Sequence, residues 1–339
     1  MRYRWVHTVW LWVVFSLAAP TLADGEVFLE AYCDRRGVPR LSYSVPEEAV
    51  KIELWRSTTD LAFCQDRDLY PIARYPLDRT SQTYIDEFAP QGVLLHYQIK
   101  VYFERSGSRS SGVVAVETPR PAARTVRSPY IMIDKLSYTL FLMDGGTVVR
   151  TLPIALGANP TNRKLHLDRA STPEGLYQIT GRQPRAQFYR AFDIDYPNAV
   201  DRERYALCEE LGLLPYPSPN IGGEIQIHGE GIDGNWTWGC VALRNRDIDW
   251  LFSLPELREG VMVAIAGTEL TVQDLEAISK TTHAERQKIL RNLKFMGIQE
   301  DGFHQTVGRF QHQARLPITG QLDLKTREAL RRTFAVWSR

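Results

Sequence analysis

Between residues 26 and 118, apolar and polar positions alternate in short runs separated by turn residues. Residues 27–31, 40–45, 50–56, 84–86, 96–102 and 112–116 each read as a half-buried strand. Short strands in this number predict a β-sandwich. Thr118-Pro119-Arg120-Pro121-Ala122-Ala123-Arg124 is a linker by composition. Alternation resumes at 130–134 and 138–143, Asp144-Gly145-Gly146 supplies a hairpin turn, and 147–155 returns. A last strand at 261–265 closes this segment. Between them, 201–214 has helical spacing with its charges on one side. The proline-rich stretch 214–220 that follows cannot continue a helix. This part predicts a helix plus a loop over a cleft, a candidate lid. Residues 246–252 read as a short helix, 270–279 as a linker helix or turn, and the chain beyond Thr282 as helical. The pattern therefore predicts a multidomain chain. It has a β-sandwich at 26–118, a mainly-β domain at 128–267 and a small three-helix bundle at 281–336.

Composition narrows the setting. A chain of 339 residues with 44% apolar residues can fill two or three cores. A formal net charge of +1 gives no global field for nucleic acid. Residues 1–23 read as a signal peptide. Arg2 and Arg4 precede an apolar, aromatic run at 8–17, and small residues lead to a cut after Ala23. The run is short for a membrane span, and an uncleaved anchor is the alternative. Export to the periplasm or cell envelope is expected. In an oxidising compartment Cys33 and Cys64 are expected to pair within the first domain. Cys208 is read either as a buried thiol or as a redox partner of Cys240. His166, His283, His304 and His312 do not stand at zinc-ligand spacing, so neither a metal nor another cofactor is expected.

The chemistry concentrates in residues 225–243. An alternating run delivers His228 at its end, a loop rich in glycine follows, and Cys240 is presented before the chain turns apolar again. A thiol nucleophile needs a base within reach and donors for a developing oxyanion. A glycine directly before the cysteine lets backbone approach a substrate carbonyl closely. A cysteine alone is usually a small buried hydrophobe, so the weight rests on the surrounding pattern. His228-Gly229, Thr237-Trp238-Gly239-Cys240 and Asn245 resemble the catalytic domain of the L,D-transpeptidase (YkuD) family. That family carries His-Gly at a strand end and Ser/Thr-x-Gly-Cys after a loop. Trp238 stands where many members have His, Ala242 where many have Arg, and Asn235 where one branch has Asp. Thr172-Pro173-Glu174-Gly175-Leu176-Tyr177 resembles the family's Thr-Pro-x-Gly-x-Tyr/Phe block, with Lys164 and Asp168 upstream. Tyr196-Pro197-Asn198 echoes a further segment.

The resemblance implies Cys240 as nucleophile and His228 as general acid/base, with backbone N–H groups at Trp238, Gly239 and Cys240 as the oxyanion hole. It implies substrate contacts from Gly229, Thr237, Tyr196, Lys164 and Asn245. The first domain is similar to a fibronectin type III module (52–57, 83–86 and 96–99). Phe310-Gln311 with Thr319-Gly320 resembles a peptidoglycan-binding helical domain. The implied partner is peptidoglycan. A stem tetrapeptide would be donor and an amine or water acceptor, and an envelope protein could sit on the β-sandwich. The implied activity is transpeptidation through a thioacyl-enzyme, which cross-links the wall or attaches a protein to it. A hydrolase using the same thioester and a non-catalytic wall-binding scaffold are the alternatives.

Overall fold

The computed structural model describes residues 26–62, 72–78, 82–105, 107–119, 126–167 and 170–337. The expected signal peptide at 1–23, Cys64 and Asp168 lie outside them.

Two sheets make up the first unit. Strands β1 (Phe28–Cys33), β2 (Pro39–Ser44) and β5 (Thr83–Ile85) form one sheet. The other runs β4 (Ile72–Pro76), β3 (Ala49–Ser57), β6 (Leu94–Phe103), β7 (Gly107–Ser110), and β8 (Val114–Glu117) also pairs with β6. Alternation turns Leu29, Leu41 and Tyr43 of the first sheet toward Ile52, Leu54, Leu95, Tyr97 and Ile99 of the second, and these fill one core. The edge strands β4 and β7 escape the pattern reading. Every residue of β7, Gly-Ser-Arg-Ser, is exposed, so no apolar alternation marks it. Cys33 is a free thiol donating to the Glu117 carbonyl at 3.4 Å. Its expected disulfide partner is Cys64.

An eight-stranded sheet follows, in the order β11-β10-β9-β16-β12-β13-β14-β15. Its strands are β9 (Pro129–Asp134), β10 (Thr139–Asp144), β11 (Thr147–Pro153), β12 (Gly175–Ala186), β13 (Tyr189–Ile194), β14 (Gln226–His228), β15 (Val241–Ala242) and β16 (Met262–Ala266). Ile131, Ile133, Leu140, Tyr177, Phe192, Ile227, Val241 and Val263 share its core. The outer edge of β15 is covered by the chain that leaves β11. Ala155 and Ala242 exchange both backbone hydrogen bonds at 2.9 Å, so the edge next to the site is not left open.

Helix α1 (Ala199–Glu210) is started by a capping box of Asn198 and Asp201. It does not form a lid. It docks on α5 (Phe303–Gln313), one of three helices, with α4 (His283–Phe295) and α6 (Leu324–Trp337), that share a core of Leu293, Val307, Phe310, Leu322 and Leu330. Glu203 Oε2 accepts the N–H groups of His304 and Gln305 at the start of α5, at 2.9 and 3.1 Å. Arg204 Nε donates to the Ile318 carbonyl at 2.7 Å. Glu203, Arg204 and Glu210 are thus spent on this joint, while Arg202 and Glu209 stay exposed. The remaining helices, α2 (Asn245–Phe252) and α3 (Val272–Ser279), flank the sheet.

The sandwich is joined to the eight-stranded sheet through Arg56. This side chain is 2% exposed and bonds both oxygens of Asp86, which is 1% exposed. It also donates to the Ser137 carbonyl at 2.8 Å and to Thr139 Oγ1 at 3.0 Å. Phe88 and Phe141 meet edge-to-face nearby, with centroids 5.7 Å apart.

Candidate functional site

The site begins with β14 and β15. They pair in parallel, with Ile227 opposite Val241 and His228 opposite Ala242. Ile227 and Val241 enter the core, so alternation turns His228 and Ala242 to the other face, and Cys240, two residues before Ala242, with them. The loop 229–239 folds over that face, where Ile232 packs with Ala155 and Ala242.

Short polar contacts fix this loop. Thr237 Oγ1 accepts the Gly239 N–H at 3.1 Å and donates to the Cys240 carbonyl at 2.7 Å. Asn235 Oδ1 accepts the Leu156 N–H at 3.0 Å, and Ala158 N–H donates to the Thr237 carbonyl at 2.9 Å. Gly239 has φ +131°, and a Cβ there would lie 2.6 Å from the Ser171 carbonyl oxygen. Gly157 backs onto it: a Cβ on Gly157 would lie 2.1 Å from the Ala170 carbonyl and 3.2 Å from Gly239 Cα. Only glycine fits at either position.

His228 is 0% exposed. Its Nδ1 lies 2.8 Å from the Gly229 carbonyl oxygen. A carbonyl can only accept, so Nδ1 carries the proton of the neutral ring and Nε2 presents its lone pair. Nε2 has no hydrogen-bond partner among the described residues. Phe188 stacks on the ring at 5.0 Å and Trp236 meets it edge-on at 5.4 Å. Burial pushes the imidazole below its ordinary value, partly offset by the Gly229 carbonyl and the charge of Glu230. Gly229 is itself clamped. Its N–H donates to the carbonyls of Phe188 and Arg190, both at 3.2 Å, and Asn245 Oδ1 accepts the next N–H, of Glu230, at 2.8 Å.

Cys240 is half-buried. Its Sγ accepts the Gln226 N–H at 3.4 Å and faces the Glu224 carbonyl at 3.5 Å. Burial pushes the thiol up, while the Gln226 N–H and the Lys164 ammonium pull it down. Lys164 is almost wholly buried, and its Nζ donates to the Trp238 carbonyl at 3.2 Å. Burial thus favours an uncharged resting pair, neutral thiol and neutral imidazole.

The fold brings together Cys240, His228, Gly229, Gly239, Trp238, Thr237, Lys164 and Asn245. Several do work other than direct contact with a substrate. Gly229 and Asn245 hold the imidazole, while Thr237 and Lys164 hold the cysteine loop. The Gly239 N–H is engaged by Thr237 Oγ1, and the Trp238 indole is 70% exposed. Tyr196 does not line the site. It is 5% exposed, packs on Tyr177, and its hydroxyl donates to the Ile221 carbonyl at 3.2 Å. The Thr172–Gly175 block serves the loop from behind. Thr172 Oγ1 accepts the Gly157 N–H at 3.1 Å, and Glu174 forms a buried ion pair with Lys135 at 2.9 Å. Sequence reasoning missed Phe188 and Trp236 as walls of the histidine, and Gln226 as a donor to the thiol. Strand register was the one signal that could have found Gln226. Among the described residues no group of three or more His, Cys, Asp or Glu is arranged to hold a metal ion.

Residues 128–265, the mainly-β segment that carries this site, match the family model of the L,D-transpeptidase catalytic domain (YkuD). Comparison with curated proteins returned no match. Among solved structures, the chain is similar to an L,D-transpeptidase (residues 123–326) from Xylanimonas cellulosilytica DSM 15894. Identity is 19%, coverage 43% of this chain and 64% of that one, and TM-score 0.29. Mycobacterium tuberculosis L,D-transpeptidase 1 matches at 13% identity over 73% of this chain and 100% of that one, TM-score 0.26. The catalytic domain of an E. faecium L,D-transpeptidase matches at 13% identity over 42% and 99%, TM-score 0.27. The chain spans a little under two thirds of the length of the Xylanimonas structure.

Proposed function

We propose that this chain is a cysteine-dependent L,D-transpeptidase acting on peptidoglycan stem peptides through a thioacyl-enzyme. The observation that carries the reading is the fixed imidazole: Nδ1 tied to the Gly229 carbonyl, Nε2 without a partner among the described residues, and Cys240 on the same face of the sheet. Nε2 takes the thiol proton as Sγ attacks the amide carbonyl after the third residue of a stem tetrapeptide. The C–N bond breaks and the imidazolium returns its proton to the leaving amine. Gly239 N–H is committed to Thr237 Oγ1, so the oxyanion is assigned to the N–H groups of Trp238 and Cys240. One such donor is typically worth ~3 kcal/mol. An acceptor amine then attacks the thioester, forms the new amide and frees Cys240. Hydrolysis of the same thioester is the second reading, favoured by the partial exposure of Cys240.

In this reading the chain works in the periplasm or cell envelope after export. The helices α4–α6 bind peptidoglycan, and the β-sandwich serves as a spacer or a seat for an envelope protein. The test is product analysis. A disaccharide-tetrapeptide is incubated with the protein, and cross-linked dimers are separated from free tripeptide. Dimers that vanish in Cys240→Ala support transfer, and tripeptide without dimers supports hydrolysis. Intact peptidoglycan binding with neither product from the wild type would leave a non-catalytic scaffold.

A further inference from the structure

Two buried arginines lie at the joint between the eight-stranded sheet and the helices α4–α6. Arg204, on α1, is 7% exposed and serves three separate segments at once. Its Nε donates to the Ile318 carbonyl at 2.7 Å, Nη1 to the Lys164 carbonyl at 3.1 Å, and Nη2 to Glu269 Oε2 at 3.1 Å. A guanidinium is planar, so one fork fixes the three acceptors relative to one another. Arg163, 2% exposed, repeats the link more loosely, with Nη1 3.5 Å from the Thr319 carbonyl and 3.6 Å from Glu269 Oε2.

Ile318 and Thr319 belong to the loop between α5 and α6. Gln311, 0% exposed, holds that loop from beneath. Its Nε2 donates to Thr319 Oγ1 at 2.7 Å, and its Oε1 accepts the Gly320 N–H at 2.9 Å. Thr319 Oγ1 donates in turn to Asp323 Oδ2 at 2.6 Å. Helix α1 meets α5 closely, since a Cβ on Gly308 would lie 2.5 Å from Leu207 Cδ2. The loop therefore follows the bundle, and Arg204 is tied to both.

On the other side of the fork lies the segment that carries Lys164. Residues 159–166 are neither helix nor strand, so their place depends on the groups that meet their backbone. Lys135 Nζ donates to the Asn162 carbonyl at 2.8 Å, the Thr172 carbonyl accepts the Lys164 N–H at 3.4 Å, and Arg204 holds the Lys164 carbonyl. The side chain of the same lysine reaches the cysteine loop. Its Nζ donates to the Trp238 carbonyl at 3.2 Å, and a Cβ on Gly239 would lie 3.4 Å from it. At the Cys240 thiol, burial pushes up, the Gln226 N–H and the Lys164 ammonium pull down, and the charges of Glu224 and Asp193 push up. Coulomb attraction falls with distance, so a displaced ammonium supports the thiolate less.

We infer that Arg204 is a positioning residue for Cys240: through the Lys164 carbonyl it couples the helical bundle to the nucleophile. The inference rests on the transpeptidase reading for its consequence in acyl transfer. It adds that the bundle helps to complete the site.

The experiment follows iodoacetamide alkylation of Cys240 against pH in the full chain by peptide mass spectrometry, a measurement that needs no turnover. Acylation by disaccharide-tetrapeptide is measured beside it. In Arg204→Met the alkylation midpoint moves upward, and alkylation near neutral pH slows about threefold or more. Acylation slows with it. The same substitution adds no further shift in a Lys164→Met background, because it acts through that lysine. Glu203→Gln, which weakens the neighbouring contact with His304 and Gln305, leaves the midpoint in place. Arg204→Lys keeps the charge and loses the fork. It also moves the midpoint upward, and it carries the comparison alone if Arg204→Met does not fold. An unmoved midpoint in a folded Arg204 variant overturns the inference. So does an equal shift in the Lys164→Met background, or a shift of the same size in Glu203→Gln, which would mark general loosening of the joint. A wild type that forms no acyl-enzyme overturns the transpeptidase reading, and the alkylation comparison still decides the coupling.

Discussion

The Nδ1 of His228 lies 2.8 Å from the carbonyl oxygen of Gly229, its own neighbour in sequence. The group that meets Nδ1 is main chain, not a carboxylate. The strand end turns so that the following carbonyl faces back on it, and the hairpin tip at Phe188 and the Asn245 amide hold that turn in place.

Burial lowers the His228 pKa, and the sign of its pH dependence follows. The base is active when neutral, so the acid limb of acylation falls below the ordinary histidine value of about 6.5. The unfolded chain binds a proton that the folded one refuses. This contribution to stability is therefore unaffected above about pH 6.5 and is lost as pH falls toward the folded pKa. His228→Gln removes the stability slope in that window. Rate–pH profiles and denaturation midpoints across pH 5–7 check both; an acid limb above 6.5 would contradict the burial argument.

Gly239→Ala places a Cβ 2.6 Å from the Ser171 carbonyl at φ +131°. The backbone strain alone is of order 1–3 kcal/mol. Because the loop can shift to relieve it, a folded protein with acylation reduced at least tenfold is expected. Gly157→Ala acts on the same contact from behind. Circular dichroism beside acylation rates separates loop displacement from unfolding.

Lys164→Met removes both the hydrogen bond to the Trp238 carbonyl and the positive charge that pulls the Cys240 thiol down. The thiol pKa should rise further. The midpoint of iodoacetamide alkylation against pH, followed at Cys240 by peptide mass spectrometry, should move upward. No movement would show that the lysine is only a strut.

Arg56→Ala leaves the buried Asp86 without its cation, with only the Tyr97 hydroxyl donating to it, and empties the joint to Ser137 and Thr139. Breaking a buried pair from one side typically costs about 3–5 kcal/mol. Denaturant titration should show that loss, and the sandwich is expected to unfold ahead of the eight-stranded sheet.

Legibility in the sequence followed distance along the chain. His228, Gly239 and Cys240 stand out in the sequence because one loop carries them and each residue type has a chemical reason to be there. The strand at 130–134 was visible because it buries alternate positions, and those at 138–143 and 147–155 because two apolar runs flank the Asp144-Gly145-Gly146 turn. Tyr196 was misplaced because its short motif carries no information about which way the ring turns, and it turns inward onto Tyr177. Helix α1 was taken for a lid because its charges look solvated until α5, brought from a hundred residues away, supplies their partners. Phe188 was invisible as a site residue. Its role arises only when a hairpin tip closes over a histidine forty residues further on.

The central claim is that Cys240 becomes acylated with help from His228. Intact mass spectrometry of the full chain after exposure to disaccharide-tetrapeptide, and separately to a carbapenem, tests it most directly. The account predicts one covalent adduct on the wild type, mapped to Cys240, absent from Cys240→Ala and at least a hundredfold slower to form in His228→Gln. An adduct that persists in Cys240→Ala, or none on the wild type with either reagent, would contradict it.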